Sequence, residues 1–318
     1  MQELVDEANS HLKEGEFEKA KSIFSGLLDI NPSNPDYISG FYISGFWDNR
    51  LDKILLSSEG KERGLLLNQL FEHFDLEYKN RKYPFTSSYD SILYCIIGES
   101  CSQLRIGFQK EGAHNFGKEN FLLLIKNLVR SGDYKNSFEL IDYSKKFFEL
   151  PPEYYFYKAE CYYHLKEEKK SRILFRSTLL QYPELFPFET IKSEPMSTAW
   201  LEISINQSSE NNAKEVLPIF CLEKNLLPDI AEYSRTEINI MYQEVQRLLS
   251  STIKDDQDLK LKVHCRILQY CITILDSFHG QLSSDLTRKV REIIQSLDSG
   301  LLERRELIRR QSASPTSL

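Results

Sequence analysis

Apolar and polar residues along this chain recur with a helical period almost everywhere. Leu4, Ala8, His11 and Leu12 fall on one face, and Gly15 closes that segment. Phe17, Ala20, Ile23, Phe24, Leu27 and Leu28 form the next stripe, and Pro32 ends it. This spacing predicts a helix, a tight turn and an antiparallel helix. Gly15 permits the turn, Ala20 lets two helices cross closely, and Phe24 fills the space one helical turn on.

The grammar returns twice. In "FLLLIKNLVRSGDYKNSFELIDYSKKFFELPPEYY", Leu124, Ile125 and Leu128 precede Gly132; Tyr134, Ser137, Ile141 and Ser144 follow. In "YYFYKAECYYHLKEEKKSRILFRSTLLQYPELF", Ala159 and Tyr162 precede Lys166; Ser171, Phe175, Thr178 and Pro183 follow. Gly132 to Lys166 and Ser137 to Ser171 are both 34 residues. A 34-residue small–aromatic–proline register resembles the tetratricopeptide repeat, clearest over residues 1–35, 118–151 and 152–185. The first unit carries Ala8, Gly15, Phe17, Ala20, Phe24 and Pro32. The later units depart from the pattern at Ser137, Lys166 and the late Pro151, which predicts a longer second helix before Pro151.

Between these units the pattern is helical but degenerate. "NPDYISGFYISGFWDNRLDKILL" predicts a helix from Asp36 with a break near Asp48–Asn49. "GKERGLLLNQLFEHFDLEYKNRKY" predicts a strong helix stopped by Pro84. "TSSYDSILYCIIGESCSQLRIGFQKEG" predicts another, capped by Ser87 or Ser88 and stopped by Gly112. Past Pro183 a proline-punctuated connection leads to one more pair, with "NQSSENN" as its turn. From about Asp229, "AEYSRTEINIMYQEVQRLLSSTIK", "DLKLKVHCRILQYCITILDSF" and "SSDLTRKVREIIQSLDSGLLERRELIRR" predict longer helices without the repeat. The expected fold class is all-α: a tetratricopeptide-like α-α superhelix (solenoid) over residues 1–225 with divergent middle repeats. A C-terminal helical bundle or cap follows over residues 226–310, then a disordered tail over 311–318.

Composition narrows the function. A net charge of −7 disfavours a general nucleic-acid or anionic-membrane binder. No window approaches the ~18 continuous apolar residues of a membrane span, and the acidic, amphipathic N-terminus does not read as a signal peptide. A cytoplasmic protein is expected. The six cysteines form no Cys-x-x-Cys pair; the spacings Cys95/Cys101 and Cys265/Cys271 set sulfurs roughly 120° apart around a helix, unsuited to a shared metal. Buried free thiols are expected, in a reducing compartment. No phosphate-cradling glycine loop and no His-Glu-x-x-His appears. The acidic groups Glu14/Glu16/Glu18 and Asp255/Asp256/Asp258 read as solvated faces and turns. No enzyme, cofactor or metal is expected.

The resemblance implies a concave groove lined by the first helix of each unit: Val5, Asn9 and Leu12, then Leu122, Lys126 and Val129, then Phe156, Glu160 and Tyr163. One subclass of the family clamps the acidic tail of heat-shock chaperones with Lys, Asn and Arg at such positions. Here Asn9 matches, but Val5 replaces the lysine, and Phe156 and Glu160 replace basic residues; Glu160 would repel a carboxylate. The implied function is a protein–protein adaptor or scaffold that holds a peptide or helix of another protein. Alternatives are a structural subunit of a larger assembly and a module sensing a small ligand, and the chain's own helices are an alternative filling for the groove. The basic stretch Arg309-Arg310-Gln311-Ser312 resembles a kinase site, or a helix end favoured by the dipole.

Overall fold

A computed structural model describes residues 1–251, 256–277 and 284–313, with side chains to residue 311. Every regular element among them is helical, and none of the helices is long and apolar enough to cross a membrane. The chain divides into two compact units, Met1–Glu149 and Leu150–Leu318. This boundary falls inside the segment 1–225 expected as one array.

Unit 1 contains α1 (Gln2–Glu14), α2 (Phe17–Ile30), α3 (Pro35–Asp48), α4 (Leu51–Leu56), α5 (Lys61–Asn80), α6 (Ser87–Phe116), α7 (Lys118–Arg130) and α8 (Tyr134–Ser144). Unit 2 contains α9 (Glu153–His164), α10 (Glu168–Gln181), a short 3-10 turn Pro183–Leu185, α11 (Met196–Asn206), α12 (Glu210–Glu223), α13 (Arg235–Ser250), α14 (Gln257–Ser277), α15 (Ser284–Leu297) and α16 (Leu301–Ala313).

The three hairpins read from the sequence, α1–α2, α7–α8 and α9–α10, share one turn. Gly15 N–H donates to the Leu12 carbonyl and Glu16 N–H to that of His11. Gly132 and Asp133 donate likewise to Val129 and Leu128, and Lys166 and Glu167 to Tyr163 and Tyr162. This paired-bond helix end requires a left-handed residue. Gly15 and Gly132 supply it at φ 78° and 81°; Lys166 adopts it at φ 67° without a glycine's freedom.

The middle of unit 1 departs from a simple stack, in which each hairpin touches only its neighbours. Helix α6 packs against α1, α3, α5 and α7. It crosses α5 closely because Gly107 has no side chain: a Cβ there would lie 2.6 Å from the Lys61 nitrogen. The Phe24 ring is met in the same way, by Gly40 of α3, where a Cβ would sit 2.4 Å from the ring. Around these crossings Trp47, Phe71, Phe74 and Tyr78 are buried in a continuous aromatic core, with Trp47 and Phe74 ring centres 5.7 Å apart.

Several expected boundaries shift. Pro35 rather than Asp36 opens α3, and the Asn34 side chain caps it by accepting from the amides of Asp36 and Tyr37. Thr86 stands at the start of α6, not Ser87 or Ser88, whose hydroxyls bond Asn9 instead. Gly112 does interrupt α6, at φ 71°, and one further turn follows. Helix α8 is shorter than α2, 11 residues against 14, although Pro151 arrives late. Beyond its end Phe148 packs against Phe121, with ring centres 5.5 Å apart.

In unit 2 two cores meet along α12. One joins α9, α10, α11 and α12; the other joins α12 to α13, α14, α15 and α16 and includes Leu180 of α10. The C-terminal helices therefore share their core with the segment before residue 226. The last predicted helix is two, α15 and α16. Between them the Asp298 carboxylate accepts from the Gly300 amide and the Arg304 guanidinium. Helix α16 continues to Ala313, so residues 311–313 of the expected tail are helical. Residues 314–318, the Ser312 side chain and Asp255 lie outside the described part.

Candidate functional site

A concave feature of unit 1 runs beside α6 and has a volume of about 740 Å³. Two of the shared turns frame it: Gly15 of the first hairpin and Gly132 of the second. Phe17, Ile54, Leu67 and Leu128, all buried, give it an apolar floor. Leu55 and Tyr94, each 60% exposed, stand at its mouth. Lys13, Arg63 and Arg105 line it together with Glu14, Glu99 and Asp133, so charges of both signs are present in equal number.

A second apolar pocket of about 360 Å³ continues from it, sharing Arg105 and Leu128 and reaching Phe108, Leu140 and Tyr143. Arg105 donates to Asp133 at 2.7 Å where the two meet. Burial pushes the Asp133 carboxyl up, but its bonds to Asn136 and Arg105 outweigh this and lower it. The Asp133 carboxyl therefore stays ionised at neutral pH, beside the Arg105 guanidinium in the lining of the trough.

Sequence spacing placed the groove elsewhere. Asn9 is buried: its amide donates to Ser87 Oγ at 2.9 Å and its carbonyl accepts from Ser88 Oγ at 2.7 Å. Leu12 is buried and Val5 is packed against the core. The inner face of α1 is thus covered by α6, the filling weighed as an alternative. On α7, Leu122 and Lys126 are half-buried and Val129 is buried. None of these six side chains lines the trough.

In unit 2, Phe156 is buried against Phe186 with ring centres 5.5 Å apart. Glu160 is fully buried, and its Oε1 accepts from the amides of Lys192 (2.8 Å) and Ser193 (3.0 Å) and from His164 Nε2 (3.0 Å). The position thus anchors a loop of its own unit. Of the three, Tyr163 lines a pocket of about 420 Å³, together with Phe175, Met196, Leu227 and the buried Ser193.

The residues that do form the trough come mainly from α4 to α6, where the repeat pattern fades. The available signal was the glycine spacing in "GKERG" and "RIGF", which marks a close helix crossing. The chemistry present is modest. All six cysteines are free thiols; burial, with the charge of Glu99, pushes Cys95 in the trough wall up to about 11, away from a reactive thiolate. His11, Glu14 and Glu16 bring one ligand atom each within 4.8 Å of one another. There Lys19 Nζ already lies 2.6 Å from Glu16, and His11 Nδ1 lies 2.6 Å from its other oxygen. No protein-family model, curated protein or solved structure matches the chain.

Proposed function

We propose that the chain is a tetratricopeptide-like adaptor that acts inside the cell and holds a segment of another protein in the trough beside α6. The observation that carries this reading is the trough itself: an apolar floor, exposed Leu55 and Tyr94 at the mouth, and a lining of balanced charge. Such a surface suits an amphipathic helix or an extended apolar peptide: the floor supplies affinity and the charges set register. The shared hairpin turn and the 34-residue register support the repeat reading, although α6 covers the inner face that a plain array would leave open.

The test is selection of ligands from a library of short helical and extended peptides on the purified chain, followed by anisotropy titration of those selected. Leu55→Glu and Tyr94→Glu should weaken binding at least ~10-fold, the scale of losing one buried anchor. Ile205→Glu, at an 81% exposed position of unit 2, should leave it unchanged. Selection of no peptide, or equal binding by all three variants, would discard the reading.

One observation favours a small-ligand module as a second reading. Ser193 Oγ is buried, has no hydrogen-bond partner and lines the 420 Å³ pocket of unit 2 beside Phe175 and Met196. Fragment soaking with wild type and Ser193→Ala separates the two readings, because only this one requires that hydroxyl.

A further inference from the structure

Unit 2 concentrates positive charge around a single carboxylate. Asp276 of α14 is buried, and its Oδ2 accepts from Arg176 at 2.6 Å and from Arg305. Its Oδ1 accepts from Arg305 Nη1 and from Arg309 Nη2, each at 3.0 Å. Arg176 and Arg305 are only 4% and 5% exposed. One anion is therefore set against three cations, two of them inside the protein. The carbonyls of Leu227 and Leu222 accept from Arg176 and Arg305. Those dipoles soften the excess without neutralising it, and uncompensated buried charge is costly. Burial pulls the Arg305 guanidinium down from its ordinary range despite the Asp276 contact.

A cleft of about 740 Å³ opens directly on this cluster, and Arg305, Arg309, Arg291 and Arg310 line it against Asp276, Glu303 and Glu306. Arg310 pairs with Glu306 at 3.2 Å on the exposed side. Arg291, exposed on α15, makes no ion pair among the described residues. Four guanidinium groups line the cleft against three carboxylates, a surplus of one positive charge, and Arg176 on the far side of Asp276 raises it to two.

We propose that this cleft binds an oxyanion of the phosphate class, held by Arg309 and Arg291 in front of the buried Arg305. Planar guanidinium forks match tetrahedral oxyanions in two-point contacts. A surplus of two charges is balanced by a dianion and only half balanced by a monoanionic carboxylate. The site is independent of the trough in unit 1.

Equilibrium dialysis of the full chain with inorganic phosphate and pyrophosphate, at fixed ionic strength, tests it, with acetate as the monoanion. Saturable binding of either phosphate is expected, at least ~10-fold tighter than acetate. Arg291→Gln and Arg309→Gln should each weaken it by a similar factor. Arg247→Gln, whose guanidinium pairs with Glu244 on an exposed face, should bind as wild type. Arg291→Gln removes no described ion pair and keeps the test valid if Arg309→Gln unfolds unit 2. No saturable binding, equal binding by Arg291→Gln, or acetate binding as tight as phosphate would overturn the proposal.

Discussion

The two units are built from the same element and held together differently. Unit 1 gathers Tyr42, Phe46, Trp47, Phe71, Phe74, Tyr78 and Tyr89 into one aromatic cluster, and its helices approach through Gly40 and Gly107. Unit 2 ties α10, α12, α14 and α16 with ionised groups. Besides Asp276, a buried Glu215 accepts from Arg266 at 2.9 Å and Lys262 at 3.1 Å, and Arg266 also reaches Glu184. The difference is that unit 2 adds buried ion pairs to its two apolar cores, whereas unit 1 relies on close aromatic fit. Shape tolerates acid and salt but not an extra methyl. Charge tolerates neither acid nor the loss of one partner.

The largest expected effect tests the charged side. Asp276→Asn leaves Arg176 and Arg305 buried without their anion and should destabilise unit 2 by about 3–5 kcal/mol. Hydrogen exchange read over α10, α14 and α16 would register it, while α3 and α5 keep their protection. Protection in α14 unchanged from wild type would remove the contrast.

Acid should act through the same group, less strongly. Burial pushes the Asp276 carboxyl up, but bonds to and charge from Arg305 and Arg176 prevail and hold it at about 2, below its ordinary 3.8. A carboxyl lowered on folding stabilises above its unfolded pKa. The contribution is full above about pH 5 and fades as pH falls through 4 toward 2; it amounts to about 2 kcal/mol. Urea unfolding followed in that window should show the loss in wild type and not in Asp276→Asn.

On the shape side, Gly40→Ala should cost unit 1 about 1–3 kcal/mol, because the new Cβ would fall 2.4 Å from the Phe24 ring. Exchange in α2 and α3 would rise, with no change in α14. A neutral Gly40→Ala would mean that the ring yields, and that unit 1 is less closely fitted than its geometry states. The smallest effect concerns the turn of α9–α10. Lys166→Gly should stabilise unit 2 by about 0.5–1 kcal/mol, since relief of the left-handed conformation outweighs the freer unfolded chain. A fall in midpoint would show that the Lys166 side chain has a compensating contact.

Much of the local structure was legible in the sequence. Gly15 and Gly132 supply the turns their spacing gave them, and Ala20 and Phe24 are buried, because local periodicity and turn chemistry act over a few residues. The break at Asp48–Asn49 and the turn before α12, capped by Ser209, were equally local. What lay beyond reach was long-range. Nothing near Asn9 announces that Ser87 and Ser88 will bond it, so a position counted as open groove became interior. Glu160 reads as a repulsive groove residue, yet it is buried, and its Oε1 is held by two amides more than thirty residues away. The trough was missed because its walls come from segments where the repeat register is lost.

The bonds from Asn9 to Ser87 and Ser88 span 78 and 79 residues. During synthesis the first helix therefore leaves the ribosome with its inner face bare. It stays uncovered until the start of the sixth has been made, roughly 4–16 s at ordinary elongation rates. Until then the nascent N-terminal hairpin offers an apolar surface to whatever assists newborn chains.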